Sequence, residues 1–227
     1  MINQAVILSA GLGTRMKNLT KLQPKPMLVY QGKPLIEHQI IWLKKWGISR
    51  FYINLFYLPS YIIDYLGNGS SLGVEIIYNI EETLLGTGGA YVAFKPYLNG
   101  NFIAVNCDVI VDLDLTKMVQ FHEERNNPAT MAILMKAREE YSPIMVNNKT
   151  VTDIAGRMGG SGEQGIFTGL HIISNVVFNY LPRGASSVIS SFYLPLLNEG
   201  KNISAYTDIN EWIDLGTEKL FRKYLKE

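Results

Sequence analysis

One arrangement near the N-terminus constrains this chain most: a short, wholly apolar run that stops at a glycine loop. Ala5-Val6-Ile7-Leu8 ends at Gly11 and Gly13, as a parallel strand buried on both faces would end in a tight turn. Such a strand requires helices above and below its sheet, and the sequence supplies them in alternation. Leu35-Ile36, Gln39-Ile40, Leu43 and Trp46 recur at helical spacing before Gly47, and Phe51 to Phe56 reads as the next strand. Tyr61 to Leu66 reads as helix, Val74 to Tyr78 as strand, Gly89 to Phe94 as helix and Phe102 to Asn106 as strand. Leu115 to Arg125 then reads as helix and Thr130 to Met135 as strand.

This alternation implies an α/β fold: a doubly wound, Rossmann-like three-layer sandwich with a mostly parallel, mixed central sheet and right-handed crossovers. After Lys136 the expected strands are shorter, around Ile144 to Val146, Thr150 to Ile154 and Ile166 to Ile173. The segment Gly156 to Gly165 holds five glycines in ten residues and is expected to be a mobile loop or hairpin tip. Arg157 and Glu163 within it would then be lid residues. Helical patterns return at Val188 to Leu197 and Glu218 to Leu225. No linker composition or internal repeat divides the chain. A single domain over residues 1–227 is expected, burying roughly 70–75% of the surface of the unfolded chain.

With 21 basic and 20 acidic residues the net charge is +1, which gathers no polyanions, so nucleic acid is not an expected partner. The lone Cys107 excludes an internal disulfide, and His38, His122 and His171 do not have zinc spacing. No apolar stretch approaches the roughly 20 residues of a membrane span, and the Ala5 to Leu8 run is too short for a signal peptide. A cytoplasmic location away from membranes is expected. In so neutral a chain, an anionic ligand must be held by local chemistry.

The loop Ser9-Ala10-Gly11-Leu12-Gly13-Thr14-Arg15-Met16 offers that chemistry, because glycines let backbone N–H groups approach a phosphate closely. The dinucleotide-binding fingerprint needs a third glycine where Met16 stands, and a P-loop needs a terminal G-K-[S/T]. Neither is present. Arg15 carries a guanidinium fork suited to phosphate oxygens, and Lys25, between Pro24 and Pro26, is a mobile point charge on a stiffened backbone. Singly these two read as solvated loop charges. After a buried strand, in combination with the glycines, they read as a phosphate site.

Three segments carry a resemblance: G-x-G-T-R-[M/L] at Gly11 to Met16, P-K-P-[M/L] at Pro24 to Met27, and K-P-L-I-E at Lys33 to Glu37. They resemble the sugar-1-phosphate nucleotidyltransferases, or nucleotide-sugar pyrophosphorylases. The likeness continues through Leu85 to Ala90, Asn106 to Asp108, Phe167 to His171 and Trp212 to Thr217. It is strongest to short, single-domain uridylyltransferases of N-acetylmuramate 1-phosphate and guanylyltransferases of mannose 1-phosphate. Two departures stand out: Cys107 occupies a common glycine position, and Lys17-Asn18 replaces a frequent Arg-Pro.

The resemblance implies the nucleotide-diphospho-sugar transferase fold and transfer of a nucleotidyl group from an NTP to a sugar 1-phosphate. The implied catalytic residues are Arg15 and Lys25. Nucleotide binding falls to Ala10, Gly11, Gly13, Thr14 and Arg15, with the base near Glu81, Gly86 and Thr87. The sugar would lie against Asn106 and Gly169. Asp108 and Asp214 would hold Mg2+, and the protein would be a monomer or small homo-oligomer.

The residues alone leave several of these points open. Asp108 after a strand serves equally as a helix cap or a ligand. Glu81 to Ala90 reads almost as well as a glycine-rich turn before a capped helix. Cys107 reads as a small buried hydrophobe and His171 as a structural histidine. Gly169 inside a strand marks close approach by a ligand or another backbone. A non-catalytic nucleotide-sugar-binding regulator of the same fold is the alternative, and two metal-type carboxylates speak against it. A nicotinamide oxidoreductase is disfavoured by Met16. The base and the sugar are not legible.

Overall fold

The alternation read from the sequence is present in the computed structural model, which describes residues 2–225. The first half contains β1 (Gln4–Leu8), β2 (Val29–Tyr30), β3 (Lys33–Pro34), α1 (Leu35–Lys45), β4 (Arg50–Leu55), α2 (Pro59–Leu66), β5 (Glu75–Ile80), α3 (Gly86–Phe94), β6 (Phe102–Asn106) and β7 (Val109–Asp112). The second contains α4 (Leu115–Arg125), β8 (Ala129–Leu134), β9 (Pro143–Asn147), β10 (Thr150–Ile154), β11 (Glu163–Ile173), α5 (Leu194–Asn198), β12 (Ser204–Tyr206), β13 (Glu211–Asp214) and α6 (Glu218–Tyr224).

Nine strands form one sheet in the order β5-β4-β1-β6-β11-β8-β12-β10-β9. Both faces are covered, which is why β1 is continuously apolar. Ala5 and Ile7 pack with Ile36, Ile40 and Leu43 of α1 and Met118 of α4. Val6, one residue out of phase, packs on the other face with Tyr91 and Phe94 of α3 and Leu196 of α5.

The expectation of a mostly parallel sheet holds for β5, β4, β1 and β6, and parallel pairing recurs just once more, between β8 and β12, among the described residues. Beyond β6 the sheet is largely antiparallel. Strand β11 runs antiparallel to β6, β8 and β9, and β9 and β10 form a hairpin. Its turn residues Asn148 and Lys149 both have positive φ, a tight reversal that leaves no length for the crossover a parallel pair needs. Because β12 also pairs with β8 and with β10, the strands β11, β9, β10, β12 and β8 close into a small five-stranded ring.

Strand β11 belongs to both parts. Leu170 to Ile173 pair with β6, whereas Glu163 to Ile166 pair with β9, and the register against β8 shifts between Phe167 and His171. Gly169 sits in that bulge with φ +88°, a conformation that glycine adopts without strain.

Two further expectations change. The glycine-rich segment is not free: Asp153 accepts from the N–H groups of Gly156 (2.8 Å) and Met158 (2.5 Å), and Thr152 donates to the Ser161 carbonyl (2.9 Å). Gly160 and Gly162 lie against the backbones of β10 and β9, with no room for a Cβ. Residues Glu163 to Gly165 are already strand. The helix expected at Val188 to Leu197 is split into a π-turn at Ile189–Tyr193 and α5, where Pro195 removes an N–H from the ladder.

Candidate active site

A cleft of about 300 Å³ opens where β1 and β6 end, lined by Gly11, Gly13, Thr14, Arg15, Lys25, Asn106, Asp108 and Gly216 among others. Gly13 has φ +65° and its missing Cβ would stand 3.0 Å from Thr20 and 3.3 Å from Lys25. Its carbonyl accepts from the Met16 N–H (2.8 Å) and the Thr20 hydroxyl (3.0 Å), so the loop folds back instead of opening a long helix. Met16 is fully buried with Leu215 and Phe221, which explains a methionine where the dinucleotide fingerprint has glycine. Gly11 differs, since a Cβ there would meet nothing within 4 Å. The space beside it is the cleft itself.

Arg15 is exposed at the cleft, and among the described residues no carboxylate pairs with it. Lys25 departs from expectation. It is 7% exposed, held in a 3-10 turn at Lys25–Met27, and its ammonium is paired with Oδ2 of Asp108. It is a seated charge, not a mobile one.

Asp108 is not a helix cap. It lies in the turn between β6 and β7, and β7 pairs antiparallel with β13, matching Val109 to Asp214. The Leu215 N–H donates to the Asp108 carbonyl at 2.9 Å. This pairing brings both carboxylates beside Gly216. A Cβ on Gly216 would lie 2.5 Å from Oδ1 of Asp214 and 3.4 Å from Oδ2 of Asp108. Two carboxylates around space that a Cβ would fill suit the donor chemistry of magnesium, which takes few protein oxygens and completes its shell with water and phosphates. Among the described residues no cluster of three or more His, Cys, Asp or Glu offers a metal cage.

Both oxygens of Asp214 are held. The Gly216 N–H donates to Oδ1 at 2.6 Å, and the Tyr141 hydroxyl donates to Oδ2 at 2.8 Å. Burial first, and then the neighbouring carboxylate, push the Tyr141 phenol above its ordinary range, so it stays a donor.

A second lobe of about 240 Å³ continues from the first past Leu8 and Gly11 to Ala10, Asn54, Leu84, Gly86 and Thr87. Glu81 stands behind it. Its carboxylate accepts from Asn54 Nδ2 (2.8 Å) and the Leu85 N–H (2.8 Å), while Asn54 Oδ1 accepts from the Ser9 N–H (2.9 Å). This buried chain of bonds ties the glycine loop to the start of α3.

The glycines at that start answer to the chain itself. A Cβ on Gly86 would lie 2.6 Å from the Ser186 carbonyl, on Gly88 2.5 Å from the Ser186 hydroxyl, and on Gly89 2.6 Å from the Gly184 carbonyl. The segment Gly184 to Ser186 is thus a strap across the start of α3, and it is hydrogen-bonded there too: the Gly88 N–H donates to the Ser186 carbonyl (2.9 Å), and beyond the strap the Val188 N–H donates to the Thr87 hydroxyl (2.9 Å).

Asn106 lines the first lobe, and Gly169 abuts it, with its missing Cβ 2.7 Å from Asn106 Nδ2. Cys107 is buried, and burial with Asp108 beside it pushes its thiol up to about 12. His171 is buried between the hydroxyls of Tyr91 (2.8 Å) and Tyr193 (2.5 Å). Arg157 and Glu163 line neither lobe.

The profile of the family described as "Nucleotidyl transferase" matches residues 4–226. The chain belongs to the nucleotidyl transferase family. It is 30% identical to the D-glycero-alpha-D-manno-heptose 1-phosphate guanylyltransferase of Aneurinibacillus thermoaerophilus, over 99% of this chain and 97% of that one. It is 29% identical to the UTP--glucose-1-phosphate uridylyltransferase of Synechocystis sp., over 94% of this chain, and spans only 60% of that relative's length. The crystal structure of HddC from Yersinia pseudotuberculosis superposes with TM-score 0.81 at 27% identity, covering 99% of both chains. A second structure of HddC is complexed with GMP-PN.

Reading the sequence of this nucleotidyl transferase missed Asn54, Tyr141, Trp212 and Ser186. Each acts through a partner 27 or more residues away. Of these four, only Trp212 lies in a run that carried the resemblance.

Proposed function

We propose that the chain, as one catalytic domain over residues 1–227, transfers a nucleotidyl group from an NTP to a sugar 1-phosphate and releases pyrophosphate. One observation carries this reading: the glycine loop, Arg15, Lys25 and Asp108 meet around a single cleft at the ends of parallel strands, where sheets of this class bind ligands.

The loop amides and Arg15 would bind the β- and γ-phosphates and stabilise the leaving pyrophosphate. Lys25, seated beside Asp108, would contact the α-phosphate or the sugar phosphate. Asp108 and Asp214 would hold Mg2+, whose chemistry is neutralisation of charge on phosphate oxygens. An oxygen of the sugar phosphate attacks the α-phosphorus in line, and the bond to pyrophosphate breaks opposite. The nucleophile is already anionic, so no general base is required, in keeping with a sequestered His171. The protein's contribution is alignment and charge neutralisation. The lobe at Ala10, Gly86 and Thr87 would receive the base, and Asn106 with Gly169 the sugar.

The names of the relatives divide between uridylyl and guanylyl transfer, so the base is a matter for assay. Pyrophosphate release is measured for UTP, GTP, CTP and dTTP against a panel of sugar 1-phosphates with magnesium. At least one pair should turn over, and chelation with EDTA should abolish it. Nucleotide binding without turnover for every pair would leave a binding protein instead.

A further inference from the structure

We infer that Tyr141 is a positioning residue for Asp214, holding the carboxylate in the rotation that keeps Oδ1 at Gly216, where Asp108 also lies. The inference rests on the metal reading of Asp214 given above. Its phenol donates to Oδ2 at 2.8 Å while Oδ1 receives the Gly216 N–H at 2.6 Å. One donor on each oxygen fixes the plane of a carboxylate that a backbone bond alone would leave free to rock.

The donor is itself held. The Tyr141 ring meets Trp212 edge to face at 5.1 Å, and the guanidinium of Arg138 lies 5.5 Å from the centre of the same indole. The Trp212 N–H donates to the Thr168 carbonyl at 3.0 Å, one residue before Gly169. A chain of contacts through β11, β13 and the β8 to β9 connection thus stands behind the one hydroxyl that reaches Oδ2. Partners of this kind behind a metal ligand affect affinity and rate about 10- to 100-fold.

Tyr141→Phe is the test, because it keeps the ring against Trp212 and removes only the hydroxyl. Binding of Mn2+ is followed by the electron paramagnetic resonance of the free ion, beside pyrophosphate release. The variant should bind Mn2+ about 10-fold more weakly and lose a similar factor in kcat, with the metal-free affinity for NTP unchanged. In an Asp214→Ala background, the further change Tyr141→Phe should have no effect on residual turnover, since its target is gone.

Wild-type Mn2+ affinity in Tyr141→Phe, with affinity lost in Asp214→Ala, overturns the positioning role and leaves the metal reading standing. Unchanged Mn2+ binding in Asp214→Ala overturns both. A loss from Tyr141→Phe that persists undiminished in the Asp214→Ala background marks a general packing role and overturns the inference.

Discussion

The ammonium of Lys25 is paired with the carboxylate of Asp108, 83 residues further along the chain. The lysine side chain is 8% exposed and the aspartate 18%, so each charge depends on the other for compensation. Removing one partner of such a pair leaves an uncompensated charge. Lys25→Met should therefore destabilise the fold by up to about 3 kcal/mol, read from the urea midpoint, and lower turnover roughly 100-fold or more. Adding Asp108→Asn should recover much of the stability and none of the turnover.

Arg15 offers the contrasting case, a cation exposed at the same cleft. Arg15→Ala should leave the melting temperature within a degree or two of wild type and reduce kcat by about 100-fold. A loss of only a few-fold would remove Arg15 from the phosphate site.

Gly216 lies beside the carboxylates of both Asp214 and Asp108 and has no side chain of its own. The Cβ of Gly216→Ala would stand 2.5 Å from Oδ1 of Asp214, too close to leave the carboxylate in place. The expected result is at least a 10-fold fall in kcat with a modest change in stability. Steady-state kinetics at saturating magnesium, beside a thermal melt, tests the distinction.

In α3, local and tertiary preferences oppose each other. Alanine is a better helix residue than glycine by about 1 kcal/mol, yet a Cβ on Gly89 would lie 2.6 Å from the Gly184 carbonyl. Overpacking of this kind costs about 1–3 kcal/mol. Gly89→Ala should thus destabilise the protein on balance and, by pushing the strap from α3, raise KM for the nucleotide. A stabilised variant would mean that the strap yields freely.

His171 gives a pH dependence with a definite sign. Burial depresses its folded pKa to about 3 from an unfolded value near 6.5. The unfolded chain therefore takes up the proton first. The stabilisation is complete above about pH 6.5 and is lost as the pH falls from there toward 3, by about 1.4 kcal/mol per unit. His122, lowered by burial as well, acts in the same direction. Urea midpoints between pH 7 and 5 should fall, and His171→Gln should flatten that slope.

Much of the framework was legible because it is local. The apolar run of β1, the helical spacing of α1 and the 11-residue α4 depend on neighbours within a few positions, and Gly47 with φ +85° closes α1 as expected. The four-residue strands β7 and β13 were not legible. Neither has enough residues to show a period, and each is a strand only because the other pairs with it, about 100 residues away. The role of Asp108 hung on that pairing. Without it the residue resembles a helix cap.

Residue chemistry was likewise readable in kind and not in state. The sequence alone determined that Arg15, Lys25, Asp108 and Asp214 bring suitable charges, and that glycines stand near them, because charge and the lack of a Cβ are properties of single residues. Tertiary structure decided that Lys25 is seated on Asp108, that Glu81 braces the pocket from behind, and that Gly86, Gly88 and Gly89 make room for the strap at Gly184 to Ser186. It also turned the second half of the sheet largely antiparallel and closed it into a ring. Contacts between distant segments exist only once the chain has packed, and no local pattern encodes which surfaces will meet.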